Sequence, residues 1–156
     1  MPHELIALEP RKPLLREYEE QELRLRQIRI RTEFASSKHG TEMVGYRNEP
    51  SARRPYDHEW GCVIPRPGGE GPRNFPLGNM AIGVVIEVGP EVTRFQVGRV
   101  FGHLPIREPH TVDEGAVDPL PDGLEAEGVV CLEPAVMALA MRDASIRLGI
   151  TSQSSD

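Results

Sequence analysis

Apolar and polar side chains alternate most regularly over residues 27–35, where Ile28, Ile30 and Phe34 share one side of the chain and Arg29 lies on the other. A period of two residues over this length predicts a strand with one buried face. For the Glu-, Arg- and Leu-rich run just before it, a helix is the alternative to a charged connector. Shorter apolar runs predict further strands over residues 5–8, 13–17, 83–89, 97–101 and 109–112.

A helical pattern occurs only towards the C-terminal end of the sequence. Residues 124–132 are compatible with one helix that begins near Asp122 or Gly123. Pro134 can open a second helix, because proline is tolerated in a first turn, and Gly149 marks its end. This second helix covers residues 135–148 and carries near one face Val136, Leu139, Ala140 and Ile146.

The order of these elements predicts a mainly β fold. We expect a partly open or closed β-barrel of short strands that is followed by helices, and no repeated β-α-β unit. Residues 36–76 show no clear period and contain several Pro- and Gly-rich stretches, so they are predicted to form a long irregular loop. Residues 1–149 would then be one domain, and residues 150–156 a polar tail without fixed structure.

The composition agrees with this fold and excludes several classes of protein. A length of 156 residues suits one domain, and 15 Gly with 15 Pro suit short strands joined by turns. The net charge of −6 argues against nucleic acid as a partner. Without an 18-residue apolar run or a signal peptide, we expect a cytoplasmic protein outside the membrane. Two cysteines, Cys62 and Cys131, are too few for a disulfide framework or a four-thiolate zinc site.

Several motifs follow one another in the order of a known enzyme family. Residues 76–89 run from Pro-Leu-Gly-Asn-Met into an apolar strand ending in Glu-Val-Gly, and residues 92–100 continue this run. The segments that precede and follow it are residues 39–42 with Tyr46 and Arg47, then residues 120–123, 132–134 and 148–149. Together they resemble the medium-chain dehydrogenase/reductase superfamily, the zinc-type alcohol dehydrogenases and their relatives, over residues 5–149.

The resemblance implies a GroES-like domain, which is the part of these enzymes that holds the substrate and any zinc. The second domain of the family is a Rossmann domain that binds NAD(P) through a strand, a G-x-G-x-x-G turn and a helix. The sequence contains no such unit, because the glycines of residues 68–71 have the wrong spacing and no strand before them. We therefore expect no cofactor in this chain, while NAD(P) is implied for a complete relative.

The resemblance also places the metal ligands of the zinc-type relatives on this chain. In those relatives a Cys, a His and a Cys or Glu bind one catalytic Zn²⁺. The corresponding positions here are His39, Asn79 and Glu133. His39 and Glu133 are candidate metal ligands, but Asn is a poor ligand for zinc, so zinc is not expected.

A second alignment of the zinc-ligand motif has to be considered. Residues 58–60 read His-Glu-Trp, which would make His58, Glu59 and Cys62 the metal candidates. Residues 78–80 fit the family better, because they lead directly into an apolar strand, whereas residues 58–60 are followed by a Pro- and Gly-rich loop.

Further site residues follow from the resemblance. In relatives, a hydroxyl at the position of Thr41 passes the substrate proton along a relay, and a hydroxyl can both donate and accept a hydrogen bond. The alternative for this residue is a turn position that bonds its own backbone. The catalytic candidates are Thr41 and His39, the candidates for substrate binding are Tyr46 and Asn79, and Glu42 is expected to brace the loop.

The function implied by the resemblance is that of the substrate-side domain of a zinc-independent, NAD(P)-linked oxidoreductase. Its substrate would be a small-molecule alcohol or carbonyl compound, and the chain alone is expected to be inactive. The alternative is a non-catalytic GroES-like module that acts through a partner chain. In a third case, the Rossmann domain is a separate partner chain, or the exposed surface is covered in a homo-oligomer.

Overall fold

The computed structural model describes residues 1–47, 56–57, 59–63 and 74–147. The strands are β1 (His3–Glu9), β2 (Lys12–Glu17), β3 (Gln27–Ser36), β4 (Tyr56–Asp57), β5 (Cys62–Val63), β6 (Phe75–Pro76), β7 (Met80–Val88), β8 (Arg99–Gly102), β9 (Arg107–Glu108), β10 (His110–Asp113) and β11 (Asp118–Pro119). The helices are α1 (Thr41–Tyr46), α2 (Ala126–Val129) and α3 (Leu132–Arg147), with a 3₁₀ turn at Glu114–Ala116. His58, the predicted helix end at Leu148 and Gly149, and the tail at residues 150–156 lie outside the described residues.

The described strands form two main antiparallel sheets, and β4 pairs with β5 in a separate two-stranded sheet. The larger sheet has the order β10-β3-β7-β8-β11, and the smaller one has the order β2-β1-β6 with β9 also paired to β1. The pairing of β3 with β7 is interrupted near Ile30 and near Phe34, where the register shifts. Such bulges increase the bend and twist of a strand, which favours a curled sheet over a flat one.

The core lies on both faces of β7, because its side chains alternate between two apolar clusters. Ala81 and Val85 pack with Ile28 and Ile30 of β3 in one cluster. Met80 and Ile82 pack with α2 in the other, whose remaining members are Ala126 and Val129. Gly83 lies between these positions in close contact with β3: a Cβ atom there would stand 2.2 Å from the Arg31 carbonyl oxygen. This strand contact therefore depends on the missing side chain.

The strands predicted from apolar runs are all present, with bounds that differ by a few residues. The loop prediction for residues 36–76 is wrong in part, because α1 and the short strands β4, β5 and β6 lie within it. The helix predicted over residues 124–132 is shorter than expected, and the next helix already begins at Leu132. The Glu-, Arg- and Leu-rich run before β3 forms no helix.

The apolar face predicted for the last helix is not buried. None of the residues of α3 is buried, and Val136, Leu139 and Ile146 are each more than half exposed. The apolar residues are spread around the helix, so no single face collects enough of them to pack on the sheet. The predicted helix is present, but the apolar face that the pattern predicted is not buried against the sheet.

The fold class predicted from the sequence is confirmed: the structure is mainly β, with a curled half-barrel sheet followed by helices. Over the described ranges, no strand–glycine-rich turn–helix unit of the Rossmann type occurs. The same part of the chain contains no helix that is both long enough and apolar enough to cross a membrane.

Candidate active site

A cavity of about 600 Å³ opens between the loop after β3, the segment just before β7 and the first turns of α3. Its polar lining is formed by Ser36, Ser37, Lys38, His39, Asn79 and Glu133. Most of the remaining lining is apolar and includes the side chains of Met80, Met137 and Met141. A concave site with an apolar wall and a few convergent polar groups is typical of small-molecule binding.

Glu42 fixes two walls of this cavity relative to each other. The backbone N–H of Lys38 donates to its Oε2, and the backbone N–H of Gly78 donates to its Oε1, both at 2.6 Å. The carboxylate is buried, so each of these hydrogen bonds is shielded from water. The Asn79 N–H adds a third link by donating to the Ser36 carbonyl at 2.9 Å. The bracing role expected for Glu42 agrees with this geometry.

Gly78 is required at the turn between the cavity and β7. Its φ of +103° lies in the region that side chains avoid. A Cβ atom at this position would also stand 2.4 Å from the backbone nitrogen of Ile106. The turn therefore presents the neighbouring Asn79 to the cavity by a backbone path that only glycine can follow.

An ion pair crosses the cavity. Nζ of Lys38 contacts Oε1 of Glu133, which lies in the first turn of α3 with 13% of its side chain exposed. The second carboxylate oxygen, Oε2, is buried and has no hydrogen-bond partner in the part of the chain that the structure describes. Ser36 Oγ donates a hydrogen bond to the carbonyl of Val130, just before α3, at 3.0 Å. This bond links the loop after β3 to the start of the helix.

The structure brings three of the sequence-predicted residues to one place. His39, Asn79 and Glu133 all line the cavity, although they are far apart in sequence. Thr41 is the first residue of α1, and its side chain lies outside what the structure describes. Tyr46, the other candidate for substrate binding, is half-buried at the end of α1 and is not part of this cavity lining.

The alternative metal candidates form no described cluster. Glu59 is exposed, while the side chains of His58 and Cys62 lie outside the described residues. Sequence reasoning missed Lys38, because nothing in the sequence around it indicates its ion pair with Glu133.

The residues in the cavity do not fit a catalytic zinc ion. Zinc sites of this type use three nitrogen, sulfur or carboxylate ligands and leave one position open. Asn79 lies where the resemblance places one ligand, and the ammonium group of Lys38 already contacts the carboxylate of Glu133, the other oxygen donor of the set. Among the described residues, no group of three or more His, Cys, Asp or Glu is placed to hold a metal ion.

A second carboxylate, Glu114, is buried outside this cavity and is saturated with hydrogen bonds. Its Oε2 accepts from the backbone N–H groups of Thr93 and Arg94, both at 2.9 Å, and its Oε1 accepts from the guanidinium of Arg26 at 2.7 Å. The Arg94 N–H, followed by the Arg26 side chain and the Thr93 N–H, lowers the pKa of Glu114 to about 2. All of these donors favour the charged form.

His110 is a core residue of the larger sheet. Its ring is buried, and Nε2 has no hydrogen-bond partner within the described part of the chain. Burial, together with the nearby charge of Arg107, lowers the pKa of His110 to about 4, against a smaller upward effect of a hydrogen bond to the Pro105 backbone. The imidazole is therefore neutral in the folded protein at neutral pH.

Comparison with known proteins finds related dehydrogenases. No protein-family model matches the sequence. The chain is 36% identical over 156 residues to D-guloside 3-dehydrogenase of Escherichia coli (strain K12), a match that covers 93% of this chain and 44% of that protein. The chain thus spans less than half the length of this curated relative.

Two solved structures share the fold. The quinone oxidoreductase of Pseudomonas syringae pv. Tomato DC3000 superposes with a TM-score of 0.56 and 22% identity, over 85% of this chain and 37% of that one. The 2R,3R-butanediol dehydrogenase of Bacillus subtilis gives a TM-score of 0.60 and 19% identity, over 86% and 44%. The resemblance to the medium-chain dehydrogenase/reductase superfamily is therefore confirmed. The relatives in this superfamily are oxidoreductases, and the match to each of them is partial.

Proposed function

We propose that this chain is the substrate-binding domain of a zinc-independent, NAD(P)-linked oxidoreductase of the alcohol dehydrogenase type. The observation that carries this proposal is the single cavity into which His39, Asn79 and Glu133 converge. These are the positions that hold substrate and metal in the superfamily. The cavity volume of about 600 Å³ lies within the usual range for small-molecule sites.

The proposed substrate is a small alcohol or carbonyl compound. D-guloside 3-dehydrogenase is named for the oxidation of a sugar hydroxyl, and the mixed polar and methionine-rich lining here suits a ring that has hydroxyl groups on one side. The Asn79 side chain can donate and accept hydrogen bonds, which suits it to orienting a hydroxyl or a carbonyl group. Tyr46 stays a candidate for the outer part of the substrate site.

Proton transfer is assigned to Thr41 and His39. His39 lines the cavity and is exposed, so a proton taken from the substrate hydroxyl has a route to water. Thr41 follows it by two residues and would link substrate and imidazole through its hydroxyl, since a hydroxyl relays a proton without holding a charge. When bound, the nicotinamide would supply the hydride chemistry.

Because the sequence lacks the strand, G-x-G-x-x-G turn and helix of a dinucleotide site, the cofactor would be held outside residues 1–149. We propose a Rossmann domain, either in the same polypeptide or as a partner chain. The cytoplasmic location expected from the sequence stays a prediction.

A domain-exchange experiment tests the proposed function. This chain would replace the matching part of the E. coli D-guloside 3-dehydrogenase, and formation of reduced nicotinamide would be followed with a methyl D-guloside. The chimera is expected to turn over substrate, whereas this chain alone is not. Thr41→Ala in the chimera should lower kcat by about 100-fold, and Thr41→Ser should restore most of it. A folded chimera that oxidises none of a panel of alcohols and glycosides would reject the proposal.

A second candidate function is a non-catalytic module that acts through a partner chain. The exposed apolar residues of α3, among them Val136, Leu139, Met141 and Ile146, favour a partner surface. Sedimentation of this chain with and without a separately produced cofactor domain would test it. If the two chains associate but the mixture shows no turnover, the non-catalytic module is favoured over the enzyme.

A further inference from the structure

The Lys38–Glu133 ion pair has no role in the proton transfer proposed above. Both side chains line the cavity, and only one of the two carboxylate oxygens is used by the ammonium group. The other oxygen, Glu133 Oε2, is buried without a partner among the residues that the structure describes. A buried acceptor without a hydrogen bond is costly, so a ligand group that donates to it would be stabilised.

The pair offers a ligand two complementary contacts side by side. An ammonium group has three N–H donors and no acceptor, so Lys38 keeps donors for a ligand oxygen after contacting Glu133. A carboxylate oxygen such as Glu133 Oε2 can only accept. Two neighbouring hydroxyl groups match this arrangement, because one can accept from Lys38 while the other donates to Glu133. A single hydroxyl can satisfy only one of the two contacts well.

We propose that the Lys38–Glu133 pair binds a vicinal diol, with Lys38 on the oxygen that is oxidised and Glu133 on the neighbouring hydroxyl, an assignment that rests on the proposed function above. In the oxidation, the carbon would lose a hydride, which the oxidised nicotinamide of a complete enzyme would accept, and its oxygen would lose a proton through His39 or Thr41, which leaves a carbonyl group. Negative charge develops on that oxygen as the proton leaves. The ammonium of Lys38 stabilises this charge and takes the electrostatic role that zinc has in zinc-type relatives.

The test exploits the small number of lysines. The chain contains only Lys12 and Lys38, so ¹³C-labelled lysine gives two sets of side-chain NMR signals. The full chain would be titrated with trans-1,2-cyclohexanediol and with cyclohexanol, which share the ring and differ by one hydroxyl. The Lys38 signals should shift with the diol at an apparent Kd about tenfold lower than with cyclohexanol, while Lys12 stays unchanged. The factor corresponds to one hydrogen bond to a charged group.

Two substitutions separate the pair in the cavity from an ordinary ion pair. Glu133→Gln should reduce the preference for the diol to within about twofold, because a neutral amide is a weaker acceptor than a carboxylate. Glu9→Gln is the matched control, since Glu9 pairs with Lys12 on the exposed surface. It should move the Lys12 signals and leave the diol preference unchanged. The titration of the unsubstituted chain needs no variant, so it tests the preference for the diol even where a variant does not fold.

The outcomes for binding and for function are distinguishable. Equal affinity for diol and mono-alcohol, or a Lys38 signal that does not respond, overturns the diol site even if the chimera oxidises glycosides. A diol preference in a chimera without any turnover supports the site and rejects the proposed function. In an active chimera, Lys38→Met should lower kcat by about 100-fold and Lys12→Met should not. Equal activity of both variants would remove Lys38 from the reaction.

Discussion

Glu114 and Glu133 are both carboxylates withdrawn from solvent, but their surroundings differ in kind. Glu114 is 1% exposed, and both of its oxygens are used by backbone amides or a guanidinium. Glu133 is 13% exposed and contacts one ammonium group, and its other oxygen is buried without a hydrogen-bond partner among the described residues. A saturated carboxylate joins segments of the fold, whereas an unsaturated one keeps bonding capacity for a ligand. The comparison therefore separates an acid that stabilises the fold from one that we propose binds a ligand.

The largest expected effect is the creation of a metal site around Glu133. The double substitution Lys38→Ala and Asn79→His removes the competing ammonium and restores a nitrogen ligand beside His39 and Glu133. Zinc prefers such a set of two imidazoles and a carboxylate. The variant is expected to retain one zinc ion per chain after gel filtration, measured by elemental analysis, while the unsubstituted chain retains none. Stoichiometric zinc in the unsubstituted chain would contradict this view of the cavity.

Next in size is the loss of stability on removing the saturated carboxylate. Glu114→Ala leaves two backbone N–H groups and the Arg26 guanidinium without their acceptor, so Tm should fall by about 10 °C. Glu133→Ala should change Tm by less than about 2 °C, because it removes one partly exposed ion pair. Thermal unfolding followed by circular dichroism measures both. Similar decreases in Tm for the two variants would show that Glu114 and Glu133 contribute equally to stability.

Low pH provides a third comparison, because the protonation of His110 and that of Glu114 lower the stability of the fold over different pH ranges. Unfolded His110 binds a proton near its ordinary pKa of 6.5 and the folded residue only near 4, so stability should fall as the pH drops from 6.5 to 4. Glu114 has its pKa lowered from 4.5 to about 2, so its contribution is present above 4.5 and is lost on further acidification towards 2.

Denaturant titrations at a series of pH values separate the two groups. His110→Gln should flatten the pH dependence of the unfolding free energy between 6.5 and 4. The acid limb below 4.5 should remain in this variant and disappear in Glu114→Gln. An unchanged slope above pH 4.5 in the His110 variant would show that another group titrates there.

The smallest effect is expected for the brace of the cavity. Glu42→Gln keeps one carbonyl acceptor and loses the other, so one of the two N–H groups, of Lys38 or of Gly78, is left without its bond. Tm should fall by about 2 to 4 °C. The same variant should weaken diol binding, because Lys38 is no longer held in position. Full retention of both properties would show that the loop is fixed by other contacts.

The sequence was most informative where local pattern and tertiary structure agree. The alternation in β3 and the β-branched run of β7 predicted both strands, since β3 buries Ile28 and Ile30 on one face and β7 buries apolar side chains on both faces. The helix α1 was missed because it is six residues long and is tied down by a buried contact of Glu42 that no local pattern reveals. The burial predicted for α3 was wrong for the converse reason, because an apolar composition without a consistent face does not specify a packing partner.

The candidate site could be predicted only in part. Family motifs led to His39, Asn79 and Glu133, which the fold does bring together. Lys38 was missed because its partner Glu133 is 95 positions away in the chain. Pairing over such a separation is a property of the folded chain and has no signal in the local sequence.

The position of α3 has a consequence for binding thermodynamics. Glu133, Met137 and Met141 of this helix line the cavity, and Met137 and Met141 are at the same time exposed like the other apolar residues of the helix. A chain that covers this helix would order the same side chains that a ligand needs. Ligand and partner would then be linked, and each would strengthen the binding of the other by the same factor. The affinity for the substrate would therefore be higher when a partner chain is bound to α3.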